Sequence, residues 1–524
     1  MSKSKGQGRG TRAARDDAEA GGILSSLGGS IETLIQAAMM YGTTGRSIVI
    51  LEDVKSGVAA LNNVAGIQTI STADYDSGMI PAEDVTDEAI VLPDLKVVIL
   101  SASGERGASM ATAAGSEGIR TIIPETLVWI AANGGPPPGM FAGAAPPFAG
   151  ARSLDYWQGY IAGMSQVVAG LGGGPGAWAA PGLPGGFAPV PIPLPWGAPT
   201  TGVADADTSA AGTGAETWAL RVTKVFSSGL TGAGVKVAVL DTGLDLGHPD
   251  FQDGRVVATA SFVGEPVQDV PTRGIPGVTN DQPGHGTHCI GLACGPRQPT
   301  GPSAEGRYGA ASGAQICVGK VLTNRGISVS GSVLQGIQWA IQQKCHIISM
   351  SLSGKPQGGD PYQTVAEAAV RNGIAIIAAV GNDSNRPGLP GFNPNRPSVI
   401  SPVGSPANSL RIMGAGAVDS NLRLAAFSNR GQFGTAAAVD IVGPGFQVYS
   451  SLPRQAPAGM ANTYGRLSGT SMATPIVAGI AALLKEAKPD FGPIKILQTL
   501  QAMAQRLQGT DQNDTGSGLV QAPQ

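Results

Sequence analysis

Four apolar runs, at 235–240, 314–321, 346–352 and 374–380, are interleaved with stretches of helical spacing at 329–343 and 362–372. This alternation limits the fold more than any other feature of the chain. A run that is apolar at nearly every position, rather than every second one, suits a strand buried on both faces. Such strands need helices on both sides. The order therefore implies a three-layer α/β domain with a mostly parallel sheet. The first run is rich in valine and broken only by Lys236. Two more helices are expected at 472–485 and 494–507.

The rest of the chain divides by composition. Its 524 residues allow several domains. Hydrophobic residues make up 42%, enough for a large core. Charged residues make up 14%, against about 25% in ordinary domains. A net charge of −3 gives no footing for a nucleic-acid partner. No run is apolar for long enough to span a bilayer. Residues 1–45 read as a flexible tail. Its basic start is followed by no long apolar segment, so a cytoplasmic or non-classically exported protein is expected. Residues 133–215 form a Gly/Pro-rich linker with one amphipathic helix at 153–171. That helix could dock on a partner, but packing on its own neighbouring domain is the simpler use. Between tail and linker, 46–132 reads as β-α-β-β-α-β, a small ferredoxin-like α+β domain. Its strands are expected at 47–51, 67–71 and 121–130. Residues 88–92 and 95–100 form one element kinked at Pro93-Asp94, and helices fall at 54–64 and 107–118.

The chemistry-bearing residues lie in the C-terminal part, 216–524. Gly469-Thr470-Ser471-Met472-Ala473-Thr474-Pro475 sets a serine at the mouth of a helix, with Pro475 read in the first turn. A serine there has the positive end of the helix beside it, which suits a developing oxyanion. A serine hydroxyl is a weak nucleophile and needs a base and a group to orient that base. His285, in Gly284-His285-Gly286-Thr287-His288, is the base candidate. Asp241 closes the first apolar run, at the carboxyl end of a strand, where open α/β sheets gather their sites. The run at 374–380 ends in Gly381-Asn382, and an asparagine amide there can donate to an oxyanion. Each motif alone is a common turn or loop. Their order Asp, His, Asn, Ser is what gives them weight.

On these motifs, residues from about 216 to the C-terminus resemble the subtilisin-like serine proteases, the subtilases of peptidase family S8. The motifs are Asp241-Thr242-Gly243, His285-Gly286-Thr287-His288, Ala379-Val380-Gly381-Asn382 and the Ser471 segment. His248-Pro249-Asp250, Ser349-Met350-Ser351-Leu352 and Pro444-Gly445 add weaker matches. The resemblance implies a serine endopeptidase in which Asp241, His285 and Ser471 form the triad. Asn382 and the Ser471 N–H would form the oxyanion hole. Ser351, Leu352, Ser353, Ala379 and Gly381 would line the substrate pocket, with Ser353 where subtilases commonly have glycine. Residues 46–132 look like the inhibitor-type propeptide that precedes such proteases, which implies a self-inhibited zymogen with its own N-terminal domain as partner. Protein or peptide substrates are expected, and no cofactor for the chemistry. Asp245 and Asp250 could help hold a structural calcium, as subtilases often do, or simply cap their loop. The 294–309 loop departs from the compact calcium loop of secreted subtilisins. The four cysteines, Cys289, Cys294, Cys317 and Cys345, show no zinc spacing and read as buried thiols. The rival function is a catalytically silent binding protein on the subtilase fold, and the intact set of motifs argues against it.

Overall fold

The computed structural model describes residues 46–75, 89–101, 116–130, 216–263, 281, 283–301, 306–355, 361–454 and 463–524. The expected tail (1–45), the linker (133–215) with its 153–171 helix, and most of the expected 107–118 helix lie outside them.

The N-terminal part runs β1 (Arg46–Leu51), α1 (Val54–Ala65), β2 (Ile70–Ser71), β3 (Ala89–Leu92), β4 (Val97–Ser101), β5 (Ile119–Pro124) and β6 (Leu127–Ile130). Asp53 caps α1 by accepting from the Ser56 N–H, and Gly66 closes it in the left-handed conformation. A five-stranded sheet has the order β2-β3-β4-β1-β5. Its β3-β4, β4-β1 and β1-β5 pairs are antiparallel, while the short edge strand β2 runs parallel to β3.

Three readings of this region are corrected. The segment read as one kinked element is two strands, because Pro93 to Lys96 closes a tight turn with Lys96 at φ 55°. The strand read at 67–71 holds only Ile70–Ser71. The strand read at 121–130 is two. Pro124 ends β5, the Glu125 N–H bonds back to the Arg46 carbonyl, and β6 joins a different sheet.

The C-terminal part runs α2 (Trp218–Val222), β7 (Lys236–Asp241), β8 (Val256–Ser261), α3 (His285–Cys294), β9 (Gln315–Lys320), β10 (Ile327–Val329), α4 (Ser330–Gln342), β11 (Ile347–Met350), β12 (Leu352–Ser353), α5 (Tyr362–Arg371), β13 (Ala375–Ala379), β14 (Ile412–Val418), β15 (Ile441–Pro444), β16 (Val448–Ser451), β17 (Tyr464–Leu467), α6 (Thr470–Ala487), α7 (Pro493–Met503) and α8 (Gln512–Thr515). Seven strands form one sheet, β15-β14-β13-β11-β7-β9-β8, and every neighbouring pair is parallel. Alternate side chains enter two cores. Val237 and Val239 pack with α3, α6 and α7; Ala238 and Leu240 pack with α4 and α5. That is the three-layer arrangement. The strand order turns back between β7 and β11, so their carboxyl ends flank a crevice of the kind that holds ligands in open α/β sheets.

The same alternation explains how the N-terminal sheet is held. Val49, Leu51, Val98 and Leu100 face α1, while Ile48, Ile50 and Ile99 join the core built on α4 and α5. Both faces of this small sheet are therefore buried. At the contact, the Ser330 N–H donates to the Thr126 carbonyl and the Gly331 N–H to Glu125 Oε1, at 2.8 and 3.1 Å. No side chain at the N-cap of α4 does this, so the N-terminal part caps that helix. Glu125 also pairs with Arg46, both side chains being buried.

Helix α6 departs from expectation in a way that matters at the site. It begins at Thr470, two residues earlier than read, so Pro475 lies inside it rather than in its first turn. Proline has no N–H to give the carbonyl four residues back. That carbonyl belongs to Ser471. Helix α4 begins one residue later than read, because Val329 ends β10. The helix read at 494–507 is Pro493–Met503.

Candidate active site

Asp241 is the last residue of β7 and His285 the first of α3. His285 Nδ1 lies 2.7 Å from Asp241 Oδ1, and both side chains are 1% exposed. Oδ1 also accepts the Thr242 N–H at 2.7 Å. The contact depends on two glycines. Gly284 holds φ 87° at the N-cap, and a Cβ on Gly286 would stand 2.2 Å from the Gly243 carbonyl oxygen. No larger residue fits where α3 meets the end of β7.

Ser471 sits in the first turn of α6, fully buried. Its carbonyl, left without a helix donor by Pro475, accepts Ser351 Oγ at 2.8 Å and Cys289 Sγ at 3.5 Å. Ser471 Oγ in turn donates to the Ser351 carbonyl at 3.1 Å. These bonds lock the start of α6 to the end of β11 and to α3. The bond from Ser471 Oγ to the imidazole is not made here, and His285 Nε2 has no hydrogen-bond partner among the described residues. Such bonds commonly tighten only when substrate arrives.

Asn382 follows β13 and is buried. Its Oδ1 accepts the Thr470 N–H and Thr470 Oγ1, each at 2.9 Å, which fixes the amide plane. Nδ2 is thereby turned away from Thr470. Leu352 and Ser353 form β12, and Ala379 ends β13. Ser353 is 1% exposed, so its hydroxyl is not on the solvent side. Its Oγ is 3.1 Å from where a Gly381 Cβ would stand and 2.1 Å from that of Gly404. The serine fills space that these two glycines leave.

Strand β6 lies between two edges of this crevice. It pairs antiparallel with β10, Ile327 opposite Trp129, and antiparallel with β12, Leu352 opposite Ile130 and Ser353 opposite Trp129. The Ile130 N–H donates to the Gly326 carbonyl at 2.9 Å. Because β12 directly follows Ser351, an extended chain seated here leads toward Ser471. The sequence reading missed β10 as the second wall. The signal was present in β-branched Ile327 and Val329 after Gly326, which has φ 70°.

The other candidate residues are accounted for by packing. His288 is buried, its Nε2 on the Gly465 carbonyl; burial, and then the charge of His285, push it down to about 3. His248 bonds the Thr463 carbonyl. The four cysteines are free and buried. Cys289 Sγ lies 3.9 Å from His285 Nδ1, and burial pushes this thiol far above its ordinary value. Asp241, His285 and Cys289 stand close enough to share a metal, but Asp241 Oδ1 and His285 Nδ1 are already bonded to each other, and Oδ1 also accepts the Thr242 N–H. Asp245 and Asp250 do not fit a calcium site. Asp245 is taken by the Arg454 guanidinium and the Gly247 N–H. Asp250 accepts from Tyr308 and Tyr464 hydroxyls at 2.6 and 2.8 Å, and from the Thr300 N–H and hydroxyl at 2.6 and 3.0 Å. A cation would have to displace these donors.

The sequence agrees with this geometry when set against known proteins. Residues 232–518 match the sequence model of the Subtilase family. Subtilisin BL of Lederbergia lenta is 37% identical over 295 residues, which is 56% of this chain and 91% of that protein. M-protease of Shouchella clausii, strain KSM-K16, is 36% identical over 295 residues, 56% of this chain and 64% of its own length. Subtilisin E of Bacillus subtilis is 34% identical over 285 residues, 54% of this chain and 64% of its own. The family match spans the sheet, the helices on both its faces and the crevice that holds Asp241, His285 and Ser471, and the chain thus belongs to the subtilase family and is a serine endopeptidase.

Proposed function

We propose that the protein hydrolyses peptide bonds through Asp241, His285 and Ser471, by way of an acyl-enzyme. The observation that carries this reading is the buried 2.7 Å contact between His285 and Asp241 on a helix, α3, whose Cys289 thiol bonds the carbonyl of Ser471 at the start of α6. Asp241 holds the imidazole in one tautomer by accepting from Nδ1. Nε2 then accepts the Ser471 proton as Oγ attacks the scissile carbonyl. The same proton goes to the leaving amine, whose departure gives the acyl-enzyme. Water, deprotonated by His285, attacks the ester, and the proton returns to Ser471. The Ser471 N–H and the Asn382 amide stabilise the oxyanion in both halves. No cofactor enters any step.

We further propose that the chain is made as a self-inhibited zymogen. Strand β6 supports this, since it occupies the edges of β10 and β12 that an extended substrate would use. Main-chain pairing of this kind gives affinity with little dependence on side chains. The capping of α4 by Glu125 and Thr126, and the sheet face shared with α4 and α5, hold the N-terminal part in place. Tethering raises its effective concentration, so modest intrinsic affinity suffices.

Casein hydrolysis tests the first proposal. The processed protein should cleave casein and lose that activity to phenylmethylsulfonyl fluoride, and Ser471→Ala should be inactive. Undiminished hydrolysis by Ser471→Ala would remove the mechanism.

A further inference from the structure

Asp281 was not among the residues singled out by motif, yet it is 3% exposed and lies against the start of α3. Its Oδ1 accepts the Thr242 hydroxyl at 2.8 Å and the Gly284 N–H at 3.0 Å. Its Oδ2 accepts the Thr287 N–H at 2.6 Å. Thr242 Oγ1 accepts the Gly286 N–H at 2.9 Å. Three backbone donors at the start of α3, those of Gly284, Gly286 and Thr287, are therefore met by Asp281 and Thr242, which also bond each other. Thr242 is covalently next to Asp241, and its N–H bonds Asp241 Oδ1. The result is a closed ring of bonds: Asp241, Thr242, Asp281, the first turn of α3, His285, and back to Asp241.

This ring acts on the geometry of the pair. His285 is the first residue of α3 and Asp241 the last of β7, so their side chains meet only if helix and strand are held in one register. A hydroxyl has one proton to give. Thr242 Oγ1 is 2.8 Å from Asp281 and 3.3 Å from Asp241, so the proton goes to Asp281. Burial pushes the Asp281 carboxyl up, and the bonds from Thr287 and Thr242 and the charge of Lys320 offset this only in part. Lys320 is 2% exposed and donates to the Thr242 carbonyl at 2.6 Å.

We propose that Asp281 is a positioning residue for peptide hydrolysis, acting through Thr242 and the first turn of α3 to hold His285 on Asp241. This rests on the reading of Asp241, His285 and Ser471 as the triad. An asparagine at 281 keeps one acceptor but sets an N–H group against a backbone N–H or the Thr242 hydroxyl. A small misplacement of reacting groups costs on the order of 10²-fold in rate.

The test uses the full-length chain allowed to process itself, with kcat and KM measured on one peptide amide. Asp281→Asn and Thr242→Val should each lower kcat on the order of 10²-fold with little change in KM. The double variant should lose about as much as either alone, since both break one ring. Thr242→Ser, which keeps the hydroxyl, should restore most of the rate. The low-field proton resonance of the His285–Asp241 hydrogen bond should weaken or shift in the two disrupted variants and return in Thr242→Ser. If Asp281→Asn does not fold, Thr242→Val against Thr242→Ser decides. Wild-type kcat in folded Asp281→Asn, or equal kcat in the two Thr242 variants, overturns the proposal. Ser471→Ala run alongside separates the two readings, because its activity depends on the triad and not on Asp281.

Discussion

Asn382, proposed above as an oxyanion donor, is held by the residue that precedes Ser471. Both bonds to its Oδ1 come from Thr470, the residue before Ser471. The amide is thus oriented by the same turn that presents Ser471. Asn382→Ala should lower kcat on the order of 10²–10³-fold while KM changes little, as expected of a donor that acts at the oxyanion. A change confined to KM would make Asn382 a substrate-binding residue. Asp241, His285, Asn382 and Ser471 were all legible in the sequence, because each stands at the end of an apolar run or the start of a helix. Asp281 was not, since nothing in Asn280-Asp281-Gln282 separates a carboxylate that closes a ring from one that caps a loop. The fate of the Ser471 carbonyl was hidden too, because it required knowing that α6 starts at Thr470.

Between elements, the buried Asp250 carboxylate joins its own short turn to the Thr300 loop, Tyr308 and β17. Burial pushes this carboxyl up, but hydrogen bonds from Tyr308, Thr300 and Tyr464 outweigh it and hold it below the usual carboxylate range. A carboxylate depressed in the folded state adds stability above its unfolded value, and that stability is lost as pH falls through the folded value. Asp250→Asn should therefore lower the melting temperature at neutral pH and narrow the gap between Tm at pH 7 and at about pH 3. Scanning calorimetry across that range measures it. An unchanged slope of Tm with pH would show that the knot contributes no such stability. At this scale the apolar runs gave β7, β9, β11 and β13, while β14 escaped notice. Its Gly414, Ala415, Gly416 and Ala417 carry no β-branched signal, and it is a strand because it fills a close-packed place between β13 and β15. The hairpin of β16 and β17 escaped for a related reason, since its residues are mixed in polarity and its pairing is set by tertiary contact.

Across the whole molecule, the N-terminal and C-terminal parts share one core and one three-stranded sheet, β10-β6-β12. The sequence could divide 46–132 from 216–524 by composition, but it could not assign β6 to the crevice. Leu127 to Ile130 reads the same whether it extends β5 or pairs with β10 and β12; only the break at Pro124 and Glu125 decides it. If β6 guards the crevice, the wild-type chain should cut itself C-terminal to Ile130 and before Glu216, and Ser471→Ala should stay full length. Residues 46–130 added to the processed enzyme should inhibit it. A wild type that is active, intact and indifferent to the added segment would leave the N-terminal part an accessory domain.

The nucleophile itself can be located in one measurement. The processed protein, treated with a fluorophosphonate and digested, should carry a single phosphonyl adduct on the peptide containing Ser471, seen by tandem mass spectrometry. His285→Ala should take up far less reagent, because the hydroxyl is not activated without its base. An adduct on another residue, or complete loss of proteolysis with Ser471 unmodified, would contradict the assignment of Ser471, His285 and Asp241.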